Sequence, residues 1–200
     1  MQISKYIPRP LILIFAVLVL GLAATLLMMA PLPPHVPAPS LIGGPFSLQD
    51  LDGKTVTQND LKGHYSLLFF GYSNEKDVTP TELRVIAASL DLLGPDAEAF
   101  KAYFVTLDPE RDQPASLKVF LGEISPKLQG LTGTSDQIAT MAKVYHVYFR
   151  KVPDPKDPQN YAMEYSPLMY LMGPDEKFIK PFQYTTDAKS LAEGLKMVLE

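Results

Sequence analysis

Two hundred residues with 46% hydrophobic content and mixed charge point to one globular domain plus an appendage. A formal net charge of −4, with no basic stripe, argues against a nucleic-acid binder. Cysteine is absent, which excludes disulfides, thiol catalysis, thiolate metal sites and cysteine-linked lipid on this chain, without assigning a compartment.

In chain order, residues 1–10 form a short N-terminus carrying Lys5 and Arg9. Residues 11–30 are an apolar run softened only by Gly21 and Thr25, and reach roughly 30 Å as a helix, the thickness of a bilayer's hydrocarbon core. A cleaved signal peptide is the competing reading. The length of the run, and an exit (Met28-Met29-Ala30-Pro31) without an A-x-A-like pattern, favour a retained anchor. No Lys or Arg follows until Lys54, so the positive-inside rule leaves the N-terminus in the cytoplasm and the domain outside, as on a bacterial inner membrane facing the periplasm. Residues 31–41 are a proline-rich, extended spacer in which His35 reads as solvated.

The domain is expected over residues 42–200. Phe46–Gln49 and Thr55–Thr57 read as a hairpin around Asp52-Gly53-Lys54. Leu67-Leu68-Phe69-Phe70 is a buried central strand closed by Gly71, and His64 lies at its loop edge. A polar loop then leads to Thr79-Pro80-Thr81-Glu82, which predicts a helix capped by Thr79 with Glu82 completing a capping box. Leu83, Ile86, Ala87, Leu90 and Leu93 make its apolar face. Further strands are expected at 103–107, 128–132, 147–152, 168–172 and 178–184. Helices are expected at 115–121, from a Thr134/Gln137 cap through 143, and at 188–199, with Pro153–Asn160 an exposed loop. Strands alternating with helices, and a closing hairpin, give a mixed α/β sheet with helices on its faces.

A strand, a loop and a helix N-terminus form a site that favours anions. The run Gly71-Tyr72-Ser73-Asn74-Glu75-Lys76-Asp77-Val78-Thr79-Pro80-Thr81-Glu82-Leu83 resembles the copper loop of the Sco/SenC proteins, thioredoxin-fold factors that help assemble the copper centre of cytochrome c oxidase. Gly44–Leu48, Phe104–Asp112, Gly130–Thr134, Lys151–Pro153 and Tyr170–Asp175 extend the likeness, as does an anchor followed by a proline-rich spacer. The resemblance implies a thioredoxin-like fold, with a mixed central sheet, flanking helices and an N-terminal hairpin. It also implies copper ligands at two loop cysteines and a histidine. Here Glu75 and Thr79 stand at the cysteine positions and Tyr165, in Glu164-Tyr165-Ser166-Pro167, at the histidine position.

Carboxylate, hydroxyl and phenol are poor partners for the soft Cu(I) ion. No catalytic residue, cofactor or metal ligand is therefore assigned, and the expected role is binding rather than catalysis. The partner would be an oxidase subunit, a Sco paralogue or a copper chaperone. The alternative is a non-standard metal site: a hard cation held by Glu75, Asp77, Asp108 and Glu164, or copper held by Met163, Met169, Met172 or His146. Against the carboxylate cluster stands a solvated acidic rim partnered by Lys76 and Arg111. Against the methionines stands core packing, since Met169 and Met172 fall on opposite strand faces. His146 reads as a hydrogen-bonded structural residue, and Ser166–Pro167 is a candidate cis bond.

Overall fold

The computed structural model describes residues 42–200. The anchor expected at 11–30 and the spacer at 31–41 lie outside them. Among the described residues no helix is long and apolar enough to cross a membrane.

Among the described residues, nine strands and four α-helices follow one another along the chain. They are β1 (Ser47–Asp50), β2 (Thr55–Thr57), β3 (Tyr65–Gly71), α1 (Val78–Leu93), β4 (Phe100–Thr106), α2 (Pro114–Ile124), β5 (Leu128–Thr132), α3 (Ser135–Val144), β6 (Phe149–Asp154), β7 (Asp157–Tyr165), β8 (Leu168–Met172), β9 (Phe178–Gln183) and α4 (Ala188–Lys196). Seven strands form one mixed sheet in the order β2-β1-β5-β4-β3-β8-β9, while β6 and β7 form a separate two-stranded hairpin. The central strands β3, β4 and β5 run parallel and are joined by the crossovers α1 and α2. Covered on both faces, they read as near-continuous apolar runs.

Strand alternation divides those runs between two cores. Leu68, Phe70, Tyr103, Val105, Tyr170 and Met172 meet α3 through Ile138 and Met141. Leu67, Phe69, Phe104, Met169 and Leu171 meet α1, α2 and α4 through Leu83, Ile86, Leu117, Leu121, Leu191 and Leu195. Met169 and Met172 do face opposite ways. The Thr134/Gln137 capping box of α3 forms as expected. Pro114 opens α2, and β1 pairs with β2 across the expected turn.

Three expectations are corrected. The helix α1 starts two residues earlier, at Val78 in place of Pro80, so Thr79 lies inside it, fully buried, and forms no capping box with Glu82. The segment at 153–160 is not a loop. It finishes β6, turns at Pro155-Lys156 and opens β7, which the sequence reading missed. A two-stranded hairpin leaves each strand a free edge, so Pro153 is tolerated, and the register shifts beside it. The Ser166–Pro167 bond is trans, as is every peptide bond among the described residues.

Glu82 faces the interior instead of reaching back to a cap. It is 3% exposed and its Oε2 has no hydrogen-bond partner. Burial pushes its carboxyl up from 4.5 to about 7. A folded-state value above the unfolded one favours folding most at low pH. That contribution is present below pH 4.5 and is lost as pH rises through about 7. Glu82→Gln should therefore stabilise the chain by roughly 1–3 kcal/mol at pH 8 and change little at pH 4, read by denaturant titration at the two pH values.

Candidate functional site

The site forms at the C-terminal end of β3, where the chain must leave the sheet and start α1. Gly71 ends the strand because a Cβ there would lie 2.7 Å from Thr79 Oγ1. The antiparallel pairing of β8 with β3 sets Met169 opposite Phe69. The residues just before β8 therefore pass over the loop that follows β3, and this register brings Tyr165 to Glu75 and Thr79.

Glu75 caps α1 from outside it. Its Oε1 accepts the Val78 N–H at 2.8 Å and its Oε2 the Thr79 N–H at 2.7 Å. Asp77, the helix's own N-cap residue, makes no side-chain cap bond. Two of the helix's four orphan N–H groups thus end on a carboxylate, where the helix dipole also favours negative charge. The Tyr165 phenol donates to the same Oε2 at 2.9 Å. Thr79 Oγ1 lies 3.1 Å from Tyr165 Oη and accepts the Tyr72 N–H at 3.4 Å.

A phenol carries one proton, so the direction of the chain is fixed. The Tyr72 N–H donates to Thr79, the Thr79 hydroxyl to Tyr165, and the Tyr165 hydroxyl to Glu75. Burial acts to raise the Glu75 pKa, but the N–H groups of Val78 and Thr79 and the hydroxyl of Tyr165 outweigh it. The carboxyl ends below its ordinary value. The Tyr165 phenol is pushed well up, by burial first and by the charge of Glu75, against the opposing bond from Thr79. The result is a carboxylate and a neutral phenol, joined by a hydrogen bond. The edge of one ring meets the face of the other where Tyr72 and Tyr165 sit 5.9 Å apart.

A second network flanks the first. Asp112, fully buried, accepts from the Thr106 hydroxyl at 2.6 Å, from the Ser73 N–H at 3.0 Å and from the Ser73 hydroxyl. Asp108, also fully buried, accepts from the Tyr161 phenol at 2.7 Å and from Arg111 Nε. Arg111 Nη1 donates to the Tyr161 carbonyl at 2.9 Å, and the guanidinium lies 3.7 Å from the Tyr161 ring centroid. Burial, then the Asp108 carboxylate, pushes the Tyr161 phenol up to about 12. The sequence reading placed Asp108, Arg111 and Asp112 in a family-like run but gave Tyr161, Ser73 and Asp112 no role. Their only signal was polar character beside buried strands.

The carboxylates weighed as an alternative cation cluster do not gather. Asp77 is exposed, Asp108 is held by Arg111 and Tyr161, and Glu164 pairs with Arg150. Among the described residues no group of three or more His, Cys, Asp or Glu is placed to hold a metal ion. Arg111 does pair with an acidic residue, but Asp108 is fully buried, so the pair is not the solvated rim that was expected. His146 is exposed, with φ 56° in the turn after α3, because the chain must reverse there to enter the hairpin. The sequence pattern suggested a hydrogen-bonded structural residue, whereas this one faces solvent. His64 sits at the other end of β3, its Nε2 3.4 Å from Tyr103 Oη. Met163 and Met172 are buried in the first core and Met169 in the second, so packing accounts for all three.

The donors gathered at the loop are thus the oxygens of three side chains, each already engaged with another group of the site. Tyr165→Phe removes two bonds, the one donated to Glu75 and the one accepted from Thr79, and should cost about 1–2 kcal/mol of stability. Glu75→Ala strands two helix N–H groups and a phenol and should cost more, about 1–3 kcal/mol, in the same denaturant titration. The low pKa of Glu75 adds a pH signature: its contribution is full above 4.5 and fades as pH falls below that value.

The model of the SCO1/SenC family matches residues 35–200. Protein SCO1, mitochondrial, of Saccharomyces cerevisiae is 39% identical over 163 residues, covering 81% of this chain and 54% of that protein. The SCO2-like protein RP587 of Rickettsia prowazekii is 34% identical over 155 residues, 78% of this chain and 76% of its own. Among solved structures, Bradyrhizobium japonicum ScoI with copper bound superposes with a TM-score of 0.72 at 42% identity, over 78% of this chain and 98% of that one. The chain spans about half the length of the first curated relatives it matches. With the thioredoxin-like fold, the loop geometry and these likenesses in agreement, the chain belongs to the SCO1/SenC family.

Proposed function

We propose that this chain is a membrane-tethered accessory factor in building the copper centre of cytochrome c oxidase, one that binds partner proteins and has no copper or thiol site of its own. The observation that carries this reading is the proton chain through Glu75, Thr79 and Tyr165, which occupies the positions where the family resemblance implies copper ligands. A relative of this chain has been solved with copper bound. In this chain every donor atom at those positions is a hard oxygen that another group of the site already uses, and Cu(I) favours thiolate, thioether or imidazole. The scaffold around those positions is intact. The strand, the close-approach Gly71, the capped helix and the buried Asp112 bonds are each locally consistent with the fold, as expected where the framework serves for docking.

In this reading residues 1–10 are cytoplasmic, 11–30 span a bacterial inner membrane, 31–41 are the spacer and 42–200 the periplasmic domain. The partner is an oxidase subunit, a Sco paralogue or a copper chaperone. Two measurements test it. Titrated with Cu(I) against a chromogenic chelator, the purified chain should give up its copper, whereas the variant Glu75→Cys, Thr79→Cys, Tyr165→His should retain one equivalent. Retention by the unaltered chain would overturn the absence of a site. Capture of the tagged full chain from solubilised membranes should recover an oxidase-assembly component, and recovery of none would remove the docking role.

A further inference from the structure

The hairpin β6–β7 is attached differently from the rest of the domain. Its ladder pairs only with itself among the described residues, while the other seven strands share one sheet. At its base the Ser166 N–H donates to the Tyr148 carbonyl at 3.0 Å, closing the two strands onto each other and not onto the sheet. Side chains supply the polar attachments to the remainder. Near the turn, Tyr161 holds Asp108 and lies against Arg111, which donates to its carbonyl. Near the base, Tyr165 holds Glu75 and Thr79. Between them Lys151 pairs with Glu110 at 2.6 Å on the exposed side. Met163, 6% exposed, and Phe149 supply the apolar contact. Beside this contact lies a recess of about 150 Å³, lined chiefly by Leu107, Pro109, Ile138, Phe149 and Met163.

We infer that the β6–β7 hairpin is a flap that opens over this recess as a unit, and that the phenols of Tyr161 and Tyr165 are the latches that set how often it opens. The two strands stay paired as they lift because their ladder is internal. Opening breaks a few side-chain contacts and no sheet pairing, which puts it at the low end of local opening free energies. Both latches end on carboxylates that keep other partners after release. Glu75 still holds the Val78 and Thr79 N–H groups, and Asp108 still holds Arg111. The helix α1 therefore stays capped and the loop after β4 stays anchored while the hairpin is away. The inference goes beyond the docking role and holds whether or not the chain acts in oxidase assembly.

Hydrogen exchange read by mass spectrometry on the full chain in detergent tests it. Amides within 149–165 should exchange together and faster than those of 65–71. Tyr165→Phe and Tyr161→Phe should each speed the hairpin by roughly five- to tenfold and leave β3 unchanged. Removal of the exposed pair by Lys151→Ala should speed it less than about threefold. A hairpin as protected as β3, or a substitution that speeds both equally or neither, would overturn the flap. Because the chain has no native cysteine, Met163→Cys gives a second readout that leaves both latches in place. Thiol labelling at that buried position should quicken on adding Tyr165→Phe in the same proportion as the exchange does, and an unchanged labelling rate would refute the latch.

Discussion

The carboxylate of Glu75 lies where two structural requirements meet. A helix that starts directly after a buried strand leaves N–H groups without partners, and the chain that returns before β8 brings a phenol into a place with little water. One ionised side chain satisfies both, accepting two backbone donors and one hydroxyl. Removing any of the three leaves a buried polar group unmatched, which costs more than the bond itself is worth in water. The loop therefore has a single consistent arrangement, and its protonation follows from that arrangement.

The same bonds leave the loop few oxygens free for a hard cation. A carboxylate whose two oxygens already accept three bonds offers little to a metal that wants several free oxygens. Asp108, the neighbouring carboxylate, is neutralised by Arg111 and occupied by Tyr161. The two networks lie side by side, and each ties a carboxylate from the sheet side to a tyrosine from the hairpin. The hairpin carries no ladder bonds to the sheet, so these two phenols, the Arg111 and Tyr72 bonds to its backbone, the exposed Lys151–Glu110 pair and an apolar contact join it to the rest.

Strand alternation supports everything above. Residues 67 to 70 alternate between two cores, as do 102 to 105 and 169 to 172, so three strands are held on both faces by helices or the hairpin. A sheet covered in this way fixes its register, because a slip of one residue would turn every side chain to the wrong core. The fixed register in turn sets Met169 opposite Phe69 and delivers Tyr165 to the loop.

The sequence by itself determined the alternation of strands and helices, the central apolar strands, the α3 capping box at Thr134 and Gln137, and the family resemblance at residues 71–83. All of these rest on local pattern, spacing or turn chemistry, which a linear chain displays. It also showed which residues stand at the loop positions. Only the tertiary structure decided what those residues do. Glu75, not Thr79, caps α1, because capping depends on which oxygen the folded loop aims at the helix end. Residues 153–160 form strands despite their prolines, because a hairpin outside the main sheet leaves edges free where a missing N–H does no harm. Tyr161 and Tyr165 meet carboxylates 53 and 90 residues away in sequence, and contacts at that separation leave no periodic trace to read.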